Sequence, residues 1–330
     1  MKVDENGAME RNQIIQGDCL EVLKGIADNS FTAVVTDPPY GLSQQPDMRE
    51  VLKHWLAGDD YEHRGGGFMG KEWDSFVPGP KIWTEIMRVL KPGGHILSFF
   101  GTRTYDIGVT AMRLAGAEVR DKIDYYCELE DYKSWVHGQG FPKSLNISKA
   151  LEKSGHSEEA VKFVGYGSSL KPAHEPIACF GGSGSPLGAS EAPFRYEAKA
   201  SSKERNKGCS KLFWRVDPEG LVAIEEDEYK RLEGENEAGK DKEGFEPRRI
   251  SVGNCHPTVK PIELCRYLVR LVKMPEDNLI LDPFMGSGSV LCACILEGCD
   301  FVGIDKDPLS MRIADARVHY FRCLGEGGLK

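Results

Sequence analysis

Four consecutive residues, Asp37-Pro38-Pro39-Tyr40, bring together a carboxylate, a proline carbonyl and an aromatic ring. That set suits a particular chemical problem. An exocyclic amine such as adenine N6 or cytosine N4 is a poor nucleophile, because its lone pair is delocalised into the ring. Two acceptors that each take one N–H redirect the pair and favour a more tetrahedral nitrogen. The Asp37 carboxylate and the Pro38 carbonyl can be those acceptors, and the consecutive prolines fix φ and hold that carbonyl in place. Tyr40 offers an aromatic face, and a base inside a duplex must be rotated out into a pocket before it can react. Taken alone, a Pro-Pro turn after a buried strand, with Asp37 as a local cap, is the plainer alternative.

A second set lies far along the chain. Leu279-Ile280-Leu281-Asp282-Pro283-Phe284-Met285-Gly286-Ser287-Gly288-Ser289 reads as a strand, a turn of small residues and the start of a helix. Glycines there let a ligand approach the backbone, and the carboxyl ends of strands in an open α/β sheet form a binding crevice. About twenty residues on, Phe301 to Asp305 reads as a strand whose terminal acid can accept hydrogen bonds from both hydroxyls of a ribose. A tight turn with a helix-capping acid is the alternative. Ser289 is followed by Val290 and Leu291, so the glycine cradle for a pyrophosphate is incomplete and a dinucleotide is disfavoured.

The elements that must hold these sets follow from periodicity. NQIIQGDCLEVLKGIADNSFTAVVTDPPY gives a short strand, a Gly-Asp turn, an amphipathic helix and a second strand from Phe31 to Thr36, so Asp37 sits at a strand end. Residues 41–80 are rich in Gly and Pro without sustained periodicity and read as a long loop or lid, in which Trp73 and Asp74 could help close the site. A helix from Lys81, ended by Pro92-Gly93-Gly94, precedes a buried strand from His95 to Phe100, and another helix and strand follow. Pro261 opens a further helix, and a last one runs from about Pro308 to Leu324. This alternation predicts a doubly wound, mostly parallel sheet covered on both faces. We divide the chain into a catalytic half over 1–180, an inserted segment over 181–250 and a cofactor half over 251–330.

Composition sets the outer bounds. A hydrophobic fraction of 40% and a charged fraction of 28% are ordinary for a globular protein, and no apolar run is long enough for a membrane span. The polar, acid-containing start fits neither a secretory signal nor a transit peptide, so a cytoplasmic location is expected. The ten cysteines, such as Cys19, Cys179, Cys265 and Cys292, form no C-x-x-C pair and are read as reduced thiols. A net charge of −9 argues against nucleic acid, but its distribution matters more. Arg195, Lys199, Lys203, Arg205 and Lys207 lie in a basic stripe that could follow a phosphate backbone, and the strongly acidic run after it reads as a solvated face. His256 has no partner at ligand spacing and is read as part of a turn; no metal site is expected.

Asp37-Pro38-Pro39-Tyr40, the DPFMGSG loop, His256 to Pro261 (HPTVKP) and the GID strand end together resemble the DNA amino-methyltransferase family, in the arrangement where the tetrapeptide precedes the cofactor loop. RVLKPGGHIL, GQGFPKSLNISKA and LKPAHEPI resemble its bacterial and phage members, so the likeness covers most of the chain outside 181–250. The resemblance implies a seven-stranded sheet of the class I S-adenosylmethionine-dependent methyltransferase type with an inserted DNA-recognition module. It implies catalysis by Asp37, Pro38, Pro39 and Tyr40, and a cofactor, S-adenosylmethionine, lined by Asp282, Phe284, Gly286, Ser287 and Gly288. Asp305 would hold the ribose, where relatives often carry Glu. Thr258 and Lys260 would lie near the methionyl carboxylate, which a Lys ammonium can neutralise. Asp18 would contact the cofactor's adenine or line the target pocket, with a helix N-cap as its alternative.

Asp at the first tetrapeptide position goes with adenine N6 in most family members, and Ser more often with cytosine N4, so the expectation is adenine methylation in double-stranded DNA. The Pro-Cys element of carbon-5 cytosine enzymes is missing. Methylation of cytosine N4 in DNA, methylation of RNA or of a protein amide, and a catalytically silent DNA-binding relative are the competing readings. A homodimer and a companion restriction endonuclease are compatible partners that the residues do not specify.

Overall fold

The computed structural model describes residues 9–42, 45–63, 74–123, 143–146, 149, 152–153, 161, 167–170, 177–181, 200–217, 220–239, 247–274 and 276–326. The first elements are β1 (Gln13–Gln16), α1 (Cys19–Lys24), β2 (Phe31–Thr36), α2 (Met48–Leu56), α3 (Pro80–Val89), β3 (Leu90–Phe99), α4 (Tyr105–Leu114) and β4 (Glu118–Ile123). Next come β5 (Lys143–Asn146), β6 (Gly167–Leu170), β7 (Ile177–Gly181), α5 (Ser202–Arg205), β8 (Phe213–Asp217), β9 (Gly220–Ile224), α6 (Glu226–Gly239) and β10 (Ile250–Val252). The last are α7 (Ile262–Val272), β11 (Leu279–Asp282), α8 (Ser289–Glu297), β12 (Asp300–Asp305) and α9 (Pro308–Glu326).

Seven strands form the main sheet in the order β1-β12-β11-β2-β3-β7-β4. Neighbours from β1 to β3 are parallel, and β7 runs antiparallel to both β3 and β4. The mostly parallel, doubly wound sheet read from the α/β alternation is therefore present. In β2, Phe31 and Val34 join one core with Leu23, Trp83 and Ile86, whereas Ala33 and Val35 join the other with Leu268, Val269 and Leu291. Burial on both faces is why the central strands read as continuous apolar runs. α8 is buried from Ser289 to Cys294, between its neighbours in the core.

Two sequence expectations change. The lid region contains α2, whose N-cap Asp47 accepts the Arg49 N–H and whose Val51 and Trp55 are buried. One apolar pair four residues apart is enough to dock a short helix on Phe76, yet too little to show as sustained periodicity. The helix before Pro92 also ends earlier, at Val89, and Leu90 to Gly94 already belong to β3. There the register jumps: Phe31 faces Leu90, and Ala33 faces His95. Gly93 (φ 81°) permits the bulge, and a side chain at Gly94 would meet the Thr32 carbonyl at 2.8 Å.

Between β7 and α7, β8, β9 and β10 form an antiparallel sheet in the order β10-β8-β9. Buried Trp214 donates to the Gly253 carbonyl (2.7 Å) and packs with Cys209 and with Ile313 of α9. The acidic run becomes α6, in which only Leu232 and Gly239 are buried, as a solvated helix requires. Among the described residues no helix is long and apolar enough to cross a membrane.

Candidate active site

Four strand ends converge on one cavity of about 460 Å³. β1 delivers Gly17 and Asp18, β2 delivers Asp37 to Tyr40, β11 delivers Asp282 to Ser287, and β12 delivers Asp305 to Asp307. These are the carboxyl ends of parallel strands, where the polypeptide turns away and leaves a crevice. Every residue expected for catalysis or cofactor binding lines it except Gly288, which shapes it from the turn: Asp18, Asp37, Pro38, Pro39, Tyr40, Thr258, Lys260, Asp282, Phe284, Gly286, Ser287 and Asp305.

The tetrapeptide is held from several sides. The Tyr40 hydroxyl donates to one Asp37 oxygen (2.8 Å), and the Lys260 ammonium donates to the other (2.6 Å). Lys260 also lies 5.2 Å from the Tyr40 ring centroid and 5.1 Å from that of Phe99, so its charge faces two aromatic rings. Asp74 accepts the backbone N–H groups of Tyr40 (2.7 Å) and Gly41 (3.0 Å) through one oxygen, and Thr104 donates to the Tyr40 carbonyl (2.6 Å). Gly41 has φ 61°, the left-handed turn that lets the chain leave the strand end at this angle. Asp74 is only 4% exposed, and burial is the main reason its pKa lies above the ordinary carboxylate value. Asp74 thus holds the turn that carries the tetrapeptide; Trp73 lies outside the described residues.

The glycine loop is equally tied down. Asp282 accepts from the Thr36 hydroxyl (2.7 Å) and the Phe284 N–H (3.3 Å), linking the ends of β11 and β2, and burial pushes its pKa up to about 8. Asp305 accepts from the N–H groups of Gly286 (2.9 Å) and Asp307 (2.8 Å), and its pKa too is raised, chiefly by burial. Gly286 (φ 49°) and Gly288 (φ 72°) occupy left-handed conformations, and a Cβ on Gly286 would lie 2.9 Å from His256 Nε2. His256 is half-buried, and desolvation of its ring lowers its pKa to about 4. Its Nδ1 lies 2.8 Å from the Thr258 carbonyl and 3.3 Å from the Thr258 N–H, which ties the ring to its own turn. It is a turn residue that also walls the cavity.

Asp18 lines the cavity and caps α1, accepting from the N–H groups of Leu20 (3.0 Å) and Glu21 (3.3 Å). Of the basic stripe, Arg195 and Lys199 lie outside the described residues. Arg205 turns inward to donate to the His256 carbonyl (2.5 Å), while Glu204 caps α7 by accepting the Ile262 N–H (2.7 Å). Lys207 sits 5.6 Å from the Phe321 ring centroid, and Lys203 is exposed. Part of the stripe therefore binds α5 to the core. Sequence reasoning missed Leu221, which β9 places in the cavity wall, together with Asp307 and Ser310. No local signal marks Leu221, because its position depends on how the small sheet docks on α9.

The chain is similar to known proteins along most of its length. The Type II methyltransferase M.HindIII of Haemophilus influenzae is 24% identical over 317 residues, covering 89% of this chain and 91% of that protein. The Type II methyltransferase M.MthZI of Methanothermobacter thermautotrophicus is 23% identical, covering 89% of this chain and 73% of that protein. The solved structure of PvuII DNA methyltransferase (cytosine-N4-specific) shares the fold, with a TM-score of 0.53 and 13% identity, covering 97% of this chain and 95% of that one. The family model described as DNA methylase matches residues 31–316, from the first residue of β2 into α9, and the chain belongs to that family.

Proposed function

We propose that this DNA methyltransferase of the N6/N4 class transfers a methyl group from S-adenosylmethionine to the N6 amine of adenine in double-stranded DNA. The observation that carries the reading is the Asp37 carboxylate at the cavity, oriented by Tyr40 and Lys260 before any base arrives. Each carboxylate oxygen has a second lone-pair direction with which to accept an amine N–H. Asp, in place of Ser, at this position favours adenine over cytosine.

The cavity fits the cofactor. Apolar Phe284, Ile82 and Pro78 can receive an adenine, Asp305 stands at a strand end suited to a ribose, and the left-handed Gly286 and Gly288 keep the loop free of side chains. When bound, S-adenosylmethionine supplies an electrophilic methyl group on a sulfonium. Asp37 and the Pro38 carbonyl take the two amine protons as hydrogen bonds and turn the nitrogen lone pair toward that methyl. Tyr40 and the buried walls keep water from competing. Once the methyl group has been delivered to nitrogen, Asp37 would take the surplus amine proton and pass it to solvent.

Lys203, exposed on the stripe, is the described residue we assign to the DNA backbone, with Arg195 and Lys199 beside it in sequence. A companion restriction endonuclease is in keeping with the Type II relatives. The test supplies labelled S-adenosylmethionine with unmethylated duplex DNA, RNA and protein, then digests the products and identifies the labelled nucleoside. N6-methyladenine is expected. N4-methylcytosine would overturn the base assignment, and label confined to RNA or protein would overturn the substrate.

A further inference from the structure

Behind the glycine loop stands a charge that no motif in the sequence marks. Arg317, on α9, is 0% exposed. Its Nη1 donates to the Ser287 carbonyl (2.7 Å), the Ser287 hydroxyl (3.0 Å) and the Ser289 hydroxyl (3.1 Å). Nε and Nη2 are buried and have no hydrogen-bond partner among the described residues. Among those residues no carboxylate pairs with it either. The thiols of Cys209 and Cys292 feel its charge, but burial dominates and pushes both up to about 11, so they stay neutral and offer no counter-charge.

A buried guanidinium without an anion is costly, and a fold retains one where something compensates it. The serines that Arg317 holds are themselves part of the cavity wall. Between them, Gly288 caps α8 in a left-handed conformation without a side-chain hydrogen bond, so the positive end of that helix meets the same edge. The guanidinium and the helix terminus thus reinforce one another along a single rim of the cavity, across a layer only one serine deep.

We propose that Arg317 is a positioning residue that sets the glycine loop, and that its charge, acting through Ser287 and Ser289, selects a cofactor carrying a carboxylate at that rim. The inference rests on the reading that the cavity binds S-adenosylmethionine, and it concerns the amino-acid end of that molecule. Arg317 touches neither the base nor the reacting atoms; it acts on affinity and on ligand choice.

The test is calorimetric titration with two ligands that share the nucleoside and differ at the far end. S-adenosylhomocysteine carries the carboxylate, and 5′-methylthioadenosine lacks the whole amino-acid group. In Arg317→Met, affinity for S-adenosylhomocysteine is expected to fall about tenfold or more, the scale of a lost charge-assisted interaction, while 5′-methylthioadenosine changes less than about twofold. Arg317→Lys keeps the charge and loses the planar fork; it must retain the wild-type preference between the ligands even if both bind more weakly, and it carries the test if the methionine variant does not fold. Equal weakening of both ligands in Arg317→Met, or loss of preference in Arg317→Lys, would reduce Arg317 to loop scaffolding and overturn the proposal. Failure of the wild-type protein to bind either ligand would instead remove the cofactor reading on which it rests.

Discussion

Asp74→Ala removes one oxygen atom on which two buried backbone N–H groups depend, those of Tyr40 and Gly41. A buried donor left without a partner costs about 1–3 kcal/mol, so two cost about 2–6 kcal/mol; partial relaxation toward the cavity places the expected loss near about 3 kcal/mol. The effect on activity should be larger than stability alone implies. Tyr40 orients Asp37 through its hydroxyl, and a shift of about 1 Å in a reacting group can lower turnover about a hundredfold. Asp74→Asn is the informative control. Both N–H groups use the same carboxylate oxygen, so an amide carbonyl can accept both. Burial already disfavours the charged form of Asp74, so a neutral replacement gives up little. The assay is single-turnover methyl transfer with saturating DNA and cofactor, beside urea unfolding. Asp74→Ala should lose about a hundredfold in turnover with S-adenosylhomocysteine affinity nearly intact, and Asp74→Asn should recover to within about tenfold of wild type. Wild-type turnover in Asp74→Ala, or an Asn variant as impaired as the Ala variant, would refute the hydrogen-bond argument.

Lys260→Met should lower turnover by about tenfold or more while S-adenosylhomocysteine affinity changes little, because the ammonium pairs with Asp37; a loss of affinity at unchanged turnover would return Lys260 to the methionyl carboxylate. Asp282 titrates at about 8 in the folded protein, against about 3.9 when unfolded, so the native state holds a proton that the unfolded state has lost between those values. Wild-type stability should therefore decline across about pH 4 to 8, while Asp282→Asn, which cannot ionise, escapes that component. Urea titrations at pH 5 and pH 8.5 measure it, and a stability difference between the two proteins that does not move with pH would contradict the burial assignment.

Local patterns were enough to place β2, the Gly-Asp turn before α1, the start of the glycine loop and the acid that ends β12. Apolar periodicity, strand ends and left-handed glycine turns are properties of neighbours in the chain. The alternation of helices and strands likewise implied the parallel sheet, since each crossover covers one of its faces. α2 escaped notice because its buried stripe is a single pair, and β3 began early because a bulge absorbs Pro92, Gly93 and Gly94.

What the chain by itself determined was therefore the chemistry available at each strand end: an acid and two prolines at one, glycines and serines at another. Tertiary structure decided which groups meet. Lys260 and Asp37 are 223 residues apart, and only the packing of α7, which follows Lys260, against β2 and β3 makes them an ion pair. Arg205 looked like one more cation in a basic stripe until docking of α5 turned it toward the His256 carbonyl. Arg317 carried no sequence signal because its surroundings come from the loop before α8 and from Cys209, which packs with Trp214 of β8 against α9. Residue type sets what a side chain can do; strand order and helix packing set the partner, the burial and hence the electrostatics, none of which has a period in sequence.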